Sequence, residues 1–202
     1  MNNTFAFIVG IAKYDQPDWN EEAAANNAVA IANWCVDSGI FDPQNVVVFI
    51  DSTKQKAGVL LDKGVEVNYS AKKEPLDDFI RERLALTRPA NSRLLVYWSG
   101  HGYIDKDRAQ ILICRDYTKD RLVNRVFNAK ALRNYLQSED FRYFTDQLFL
   151  ADVCQTYTKL DFWLIAFPLK NNSRKTLNKL RTLPVPKGNP RTVTITLGFL
   201  PR

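Results

Sequence analysis

The chain of 202 residues has few of the side chains that build metal and redox sites. It contains one histidine, one methionine and three cysteines. The cysteines and the histidine do not have the spacing of a zinc site, and three cysteines cannot all pair with one another. We therefore expect no metal and no cofactor, and unpaired thiols favour a reducing, cytoplasmic setting.

Long apolar runs are also missing. The apolar stretches extend over only a few residues, far fewer than the roughly 20 that a membrane helix needs. The first ten residues, MNNTFAFIVG, lack the basic region of a signal peptide. Hydrophobic residues make up 46% of the chain and charged residues 25%, values typical of a globular domain. We expect a domain with a core of its own and no membrane partner.

Acidic residues stop abruptly. All 22 aspartates and glutamates lie at or before Asp161, whereas the last 41 residues hold eight basic residues. Residues 1–161 carry 20 basic and 22 acidic residues, a net charge of −2, so the overall charge of +6 arises from the tail. We therefore divide the chain into a domain at 1–161 and a basic tail at 162–202. The tail has few aromatic residues and no recognised module, so we expect a solvated segment rather than a nucleic-acid partner.

Buried strands and amphipathic helices alternate along the chain. Apolar runs predict strands at Phe5–Ile11, Val46–Ile50, Leu94–Trp98 and Leu148–Ala151, and an alternating pattern predicts another at Thr192–Leu200. Apolar stripes predict helices over residues 21–36, 75–84 and 128–136, and Asn128 is the candidate N-cap of the third. We expect a long loop over residues 51–73, with a short helix near Gly58, and a hairpin over residues 103–116. This order predicts an α/β fold whose parallel sheet has helices on both faces.

Two of these strands run into chemically reactive residues. The strand Leu94–Trp98 continues into SGHG, which contains His101, and the strand Leu148–Ala151 continues into DVCQ, which contains Cys154. The carboxyl ends of parallel strands share one edge of the sheet, where α/β proteins bind their ligands. A cysteine there can serve as a nucleophile if a base supports the thiolate. We expect the two side chains to face one cleft.

Together, YWSGHGY and ADVCQTY resemble the caspase-like cysteine peptidases, and among them the metacaspases and their bacterial relatives. His101 precedes Cys154 by 53 residues, close to the roughly 50 of the caspase pattern. Asp152 stands two residues before the cysteine, where the animal caspases have glutamine, and this is the metacaspase-like form. The resemblance covers about Phe5 to Asp161.

The resemblance implies a caspase-like three-layer α/β/α fold with a mostly parallel central sheet, of which residues 1–161 form the large-subunit-like part. It implies a cysteine-type endopeptidase acting on protein or peptide substrates. Cys154 would form a thioester, His101 would move the proton, and the backbone N–H groups of Gly102 and Cys154 would form the oxyanion hole.

A catalytically inactive caspase-like domain that serves as a binding or signalling module is the alternative. The fold of the family continues past the cysteine with further strands and helices, and residues 162–202 do not show that pattern. A truncated, a frame-shifted and a divergent end all fit such a tail.

Asp152 is expected to line the substrate pocket, because metacaspase-like relatives use this aspartate to bind Arg or Lys before the scissile bond. On a strand, Asp152 shares a face with Cys154. The other interpretation is a structural carboxylate that accepts backbone N–H bonds. Asp15 and Asp18 are candidates for a second acidic group in the pocket.

The remaining acidic and thiol groups are given structural roles. Asp105, Asp107 and Asp116 lack the ligand spacing of a calcium loop and are predicted to belong to a solvated hairpin. Cys35 falls on a helix and Cys114 at the end of a strand, and we expect both to be inert core residues.

Overall fold

The computed structural model of the chain describes residues 3–51, 54–86, 88–105, 108–118, 125–155 and 191–197, with the backbone alone for residues 54–56, 154–155 and 191–197. In these ranges the strands are β1 (Thr4–Ile11), β2 (Val46–Asp51), β3 (Glu66–Asn68), β4 (Ser92–Ile104), β5 (Gln110–Ile113), β6 (Val126–Asn128), β7 (Phe144–Gln155) and β8 (Arg191–Leu197). The helices are α1 (Glu22–Asp37), α2 (Lys54–Asp62), α3 (Lys73–Asp78) and α4 (Ala129–Leu136). A π-helical segment at Phe79–Leu84 continues α3, and short 3-10 helices lie at Pro17–Trp19, Pro43–Asn45 and Glu139–Phe141.

These strands form one mixed sheet. The order β3-β2-β1-β4-β7-β8 is parallel throughout. β5 pairs antiparallel with the last residues of β4, and β6 pairs antiparallel with β5. Because β1, β2, β4 and β7 run in the same direction, their carboxyl ends lie at one edge, which we call the carboxyl edge. The prediction of an α/β fold with a mostly parallel sheet is confirmed.

The side chains of β1 alternate between two cores on opposite faces of the sheet. Phe5, Phe7 and Val9 share a core with the π-helical segment and α4, while Ala6 and Ile8 share the other core with α1 and α2. All eight residues of β1 are buried, as expected for a strand that is covered on both faces. Helices on both faces of a sheet are compatible with a three-layer α/β/α arrangement.

The helix α1 lies close to β1 because both contribute small residues. A Cβ atom at Gly10 would lie 2.4 Å from the Cβ atom of Ala28 and 2.9 Å from the carbonyl oxygen of Ala24, so only glycine fits there. At the start of the helix, the N–H of Glu21 donates to the carbonyl oxygen of Ala12 at 2.8 Å. These contacts hold the amino-terminal half of α1 beside the carboxyl edge.

Local sequence patterns predicted most of these helices and strands. Asn128 accepts a hydrogen bond from the N–H of Ala131 and caps α4, as predicted. Within the expected loop over residues 51–73, the short helix predicted near Gly58 is present as the longer α2, whereas β3 was not predicted. β3 has only three residues, and its parallel pairing with β2 depends on an element that is distant in the sequence. β6, which is equally short, was not predicted.

One described strand belongs to the basic tail. β8 lies parallel to β7, with Val193 in register with Leu148, so the strand predicted from Thr192 onward is present. The predicted boundary at Asp161 and residues 162–190 lie outside the described residues. Among the helices that the structure describes, none has the length and apolar character needed to cross a membrane.

Candidate active site

His101 and Cys154 are neighbours in the backbone register of the sheet. The parallel pairing of β4 with β7 aligns Ser99 with Asp152 and His101 with Cys154. Paired strands lie about 4.8 Å apart, so one strand spacing separates the two backbone positions. Both positions belong to the carboxyl edge. The structure therefore brings the two predicted catalytic residues together at the level of the backbone.

The loop between β1 and α1 surrounds His101. The backbone N–H of His101 donates to the hydroxyl of Tyr14 at 2.7 Å, and Nε2 lies 2.6 Å from the carbonyl oxygen of Trp19. The imidazole also packs against both aromatic rings, with centroids 4.9 Å from Tyr14 and 5.7 Å from Trp19. Only 5% of His101 is exposed. One loop thus fixes both the backbone and the ring of the histidine.

The contact with Trp19 decides which nitrogen of His101 carries the proton. A carbonyl oxygen can only accept, so this hydrogen bond requires Nε2 to donate. In the neutral imidazole, Nδ1 then holds the lone pair and is the basic atom. Burial lowers the pKa of His101, and the Trp19 carbonyl and the charge of Glu21 oppose that effect. The ring is therefore neutral near pH 7, as a general base has to be.

Trp19 is itself held in place by a second aromatic ring. It stacks on Tyr117, with centroids 5.2 Å apart and an interplanar angle of 21°. Within the loop, the N–H of Tyr14 donates to the side-chain oxygen of Asn20 at 3.0 Å. Sequence reasoning considered only Asp15 and Asp18 of this loop and missed Tyr14 and Trp19. The available signal was a pair of aromatic residues in a polar segment that contains Pro17.

Packing explains the two glycines beside His101. Gly100 has a φ of +154°, and a Cβ atom there would lie 2.7 Å from the hydroxyl oxygen of Tyr14. A Cβ atom at Gly102 would lie 2.6 Å from the carbonyl oxygen of Ile111 on β5. Gly102 has register partners on both β5 and β7, so this proposed oxyanion-hole residue lies within the sheet.

Asp152 is held by two neutral donors. Nδ2 of Asn27, on α1, donates to Oδ2 at 3.0 Å, and the hydroxyl of Tyr97, on β4, donates to the same oxygen at 3.1 Å. Asp152 is half-buried, and no ion pair to it forms within the described part of the chain. These donors are side chains of other elements, whereas the structural interpretation expected backbone N–H groups. Sequence reasoning missed both Asn27 and Tyr97.

The two acidic residues considered as partners of Asp152 have other surroundings. Asp15 forms an ion pair with Arg115 at 3.3 Å. Asp18 is exposed in the short 3-10 helix Pro17–Trp19. The donors to the Asp152 carboxylate in the described ranges are Asn27 and Tyr97. A place for Asp15 or Asp18 in the pocket stays a prediction.

A second carboxylate at the carboxyl edge has a cation of its own. Asp51 ends β2 and is 3% exposed. Its Oδ1 accepts from Nη1 of Arg115 at 2.6 Å, and its Oδ2 accepts from the N–H of Ala71 at 2.9 Å. The carbonyl oxygen of Arg115 accepts from the N–H of Asp15 at 3.0 Å. Arg115 therefore ties the end of β2 to the loop that surrounds His101.

Asp105 and Asp116, two of the three hairpin aspartates considered as calcium ligands, have different partners. Asp105 accepts from the N–H of Ala109 at 2.8 Å inside the hairpin, and Asp116 pairs with Arg125 at 2.8 Å. Asp107 lies outside the described residues. In the part of the chain that the structure describes, no group of three or more His, Cys, Asp or Glu residues is arranged to hold a metal ion.

The other two cysteines are core residues, as predicted. Cys35 and Cys114 are free thiols and are fully buried. Burial raises the pKa of Cys35 to about 12 and that of Cys114 well above its usual value. Since the thiolate is the reactive form, both are expected to be inert.

The chain matches no known protein-family model and no curated protein. Its function is therefore inferred from the residues of the carboxyl edge and their arrangement.

Proposed function

We propose that the protein is a cysteine-type endopeptidase of caspase-like fold that hydrolyses peptide bonds after Arg or Lys. The observation that carries the proposal is the register of His101 with Cys154 on neighbouring parallel strands. A thiol nucleophile and its base have to be adjacent, and one strand pairing makes two positions adjacent that are 53 residues apart. The resemblance of SGHG and ADVCQ to the motifs of caspase-like peptidases points to the same pair.

The surroundings of His101 suit proton transfer. The Trp19 carbonyl holds Nε2–H, so Nδ1 is the atom that takes the proton of the Cys154 thiol. The thiolate attacks the scissile carbonyl carbon, and the backbone N–H groups of Gly102 and Cys154 are the proposed donors to the oxyanion. The C–N bond then breaks, and His101 returns its proton to the leaving amine. Water hydrolyses the thioester and restores the thiol.

Asp152 supplies the negative charge that would bind the basic side chain of a substrate. Its described partners, Asn27 and Tyr97, are neutral, so the negative charge is not balanced by a cation of the described chain. It stands two residues before Cys154 and, on the neighbouring strand, in register with Ser99. A lysine or arginine side chain of a substrate would provide the missing positive charge.

One observation favours the alternative, an inactive caspase-like module. His101 is 5% exposed, so little of the ring is open to a substrate. In that alternative, the packing of Tyr14 and Trp19 on His101 is structural, and the carboxyl edge serves a binding partner instead of a reaction.

Fluorogenic peptides distinguish the two functions. The purified chain is expected to hydrolyse peptides that end in Arg or Lys and to leave a matched leucine peptide intact. Cys154→Ala should abolish the turnover, and His101→Ala should lower kcat by about 10²–10⁴-fold. Cys35→Ala is the matched thiol control and should retain activity, because Cys35 lies on the buried face of α1, in the core.

Alkylation shows whether a lack of turnover is due to an unreactive Cys154 thiol. Mild iodoacetamide treatment followed by peptide mapping should label Cys154 before Cys35 or Cys114. Turnover that persists in Cys154→Ala would refute the peptidase. A chain whose Cys154 is labelled but which hydrolyses none of the peptides would be the inactive module.

A further inference from the structure

The carboxylate of Asp152 has its two oxygens in different situations. Oδ2 accepts hydrogen bonds from both Asn27 and Tyr97. Each carboxylate oxygen offers about two lone-pair positions, so both positions on Oδ2 are taken. Oδ1 accepts no hydrogen bond from the described residues, and the half-buried side chain remains in contact with solvent. A substrate cation would therefore meet one oxygen.

Both donors to Oδ2 are held by the fold. Tyr97 is 5% exposed in the middle of β4, and burial raises the pKa of its hydroxyl, so the group stays protonated. The Ser99 side chain also hydrogen-bonds to Tyr97, which leaves the Tyr97 proton for Asp152. Asn27 lies in the half of α1 that packs on Gly10, and its Nδ2 can only donate. The two contacts thus fix the carboxylate from two different elements.

A single available oxygen changes the competition between arginine and lysine. The advantage of arginine at a carboxylate comes from its planar fork, which forms two parallel hydrogen bonds to the two oxygens. Lysine binds as a point charge and needs only one acceptor. When Oδ2 is occupied, arginine loses its second bond whereas lysine loses nothing.

We propose that Asn27 and Tyr97 are specificity-determining residues that make the Asp152 pocket accept lysine about as well as arginine. By occupying Oδ2 they leave Oδ1 as the acceptor for the substrate cation. The inference rests on the proposed peptidase function, since it concerns the pocket for the residue before the scissile bond. It extends that function by assigning the Arg/Lys selectivity to Asn27, which lies outside the sequence motifs, and to Tyr97, the first residue of YWSGHGY, to which the motif gave no role.

Binding to the Cys154→Ala protein tests the proposal without turnover. Two short peptides that are identical except for a C-terminal Arg amide or Lys amide are titrated by calorimetry or NMR. We expect dissociation constants within about threefold of each other. Asn27→Ala and Tyr97→Phe, each in the same background, free one position on Oδ2 and should shift the ratio toward arginine by about tenfold, the value of one charged hydrogen bond.

Two matched variants serve as controls. Asn26→Ala removes the same amide from an exposed position on the same helix, and Tyr135→Phe removes a hydroxyl from α4. Both should keep the ratio unchanged. Circular dichroism establishes that each variant is folded, and the two test variants act on different elements, so either one alone decides the outcome.

Three results would overturn the inference: arginine preferred more than tenfold before any pocket substitution, a ratio that Asn27→Ala and Tyr97→Phe leave at the control value, or binding of neither peptide. The peptidase proposal fails separately. If the peptides bind with the expected shift but the chain with Cys154 intact hydrolyses neither, the pocket assignment stands and the catalytic one does not.

Discussion

Two carboxylates lie at or near the carboxyl ends of parallel strands at the same edge of the sheet, and they differ in the groups that donate to them. Asp51, at the end of β2, is almost fully buried and receives the Arg115 guanidinium and a backbone N–H. Asp152, near the end of β7, is half-buried and receives the neutral groups of Asn27 and Tyr97. One charge is balanced within the chain and the other is held in position without a cation of the described chain.

This difference separates a structural carboxylate from one that is available to a ligand. A buried charge needs a partner, because desolvation costs more than hydrogen bonds to neutral groups return. Asp51 has that partner and joins β2 to the loop around His101. Asp152 avoids the full cost by keeping contact with solvent, which supports its proposed role in binding the cation of a substrate.

The largest expected effect follows from removing the charge of Asp152. Asp152→Asn should lower kcat/KM for the Arg and Lys peptides by about 30-fold or more, because losing one partner of a desolvated charge pair costs about 2–5 kcal/mol. Asn keeps an oxygen for Asn27 and Tyr97, so the free energy of unfolding should change by less than about 1 kcal/mol.

Asp146→Asn is the matched control for this prediction. Asp146 lies on the same strand, and its ion pair with Arg93 is exposed on both sides, so both turnover and stability should stay near the starting values. Equal losses of turnover in the two variants would contradict the assignment of Asp152 to the pocket.

A smaller effect, on stability instead of turnover, is expected when Asp51 loses its cation. Arg115→Ala should lower the free energy of unfolding by about 2 kcal/mol, less than the cost at a fully buried pair, because the Arg115 side chain is 33% exposed while that of Asp51 is 1% exposed. Urea unfolding measures the change.

Arg142→Ala provides the comparison for Arg115→Ala. It removes a pair with Glu139 whose partners are 55% and 82% exposed, and it should cost less than about 1 kcal/mol. If Arg115→Ala lowered the free energy of unfolding no more than Arg142→Ala, the buried Asp51 would not depend on its cation more than an exposed carboxylate does.

The smallest effect concerns the ionisation of His101, which lies at the same edge. Burial lowers its pKa in the folded chain, so as the pH falls below about 6.5 the unfolded chain binds the proton first. Stability should therefore be lost as the pH falls from about 6.5 through the lowered pKa of the folded state, and it should be fully present above that window.

Urea unfolding between pH 7.5 and pH 5.5 measures this dependence. His101 is the only histidine, and the raised pKa of buried Asp51 would change stability with the opposite sign, so a loss of unfolding free energy as the pH falls is assigned to His101. His101→Gln should flatten this dependence. A slope of the same size in His101→Gln would show that another group carries it.

Local patterns were sufficient for much of the fold. The apolar runs of β1, β2 and β4, the stripe of α1 and the Asn128 cap each lie in a few consecutive residues, and each predicted its element. The position of His101 and Cys154 in the carboxyl-terminal parts of two strands was also predictable from the ends of the apolar runs, although β4 continues to Ile104 and β7 to Gln155. The short strands β3 and β6 were not, because three residues carry no periodicity and form only against a neighbour.

The sequence by itself determined which residues stand at the ends of the strands and that one histidine and one cysteine share an edge. Only the tertiary structure decided what holds them. Tyr14 meets His101 across 87 positions, Arg115 meets Asp51 across 64, and Asn27 meets Asp152 across 125. These partners depend on the strand order and on the face that each helix covers. A pattern of neighbouring residues carries neither, since side chains distant in the sequence meet only after the sheet has formed.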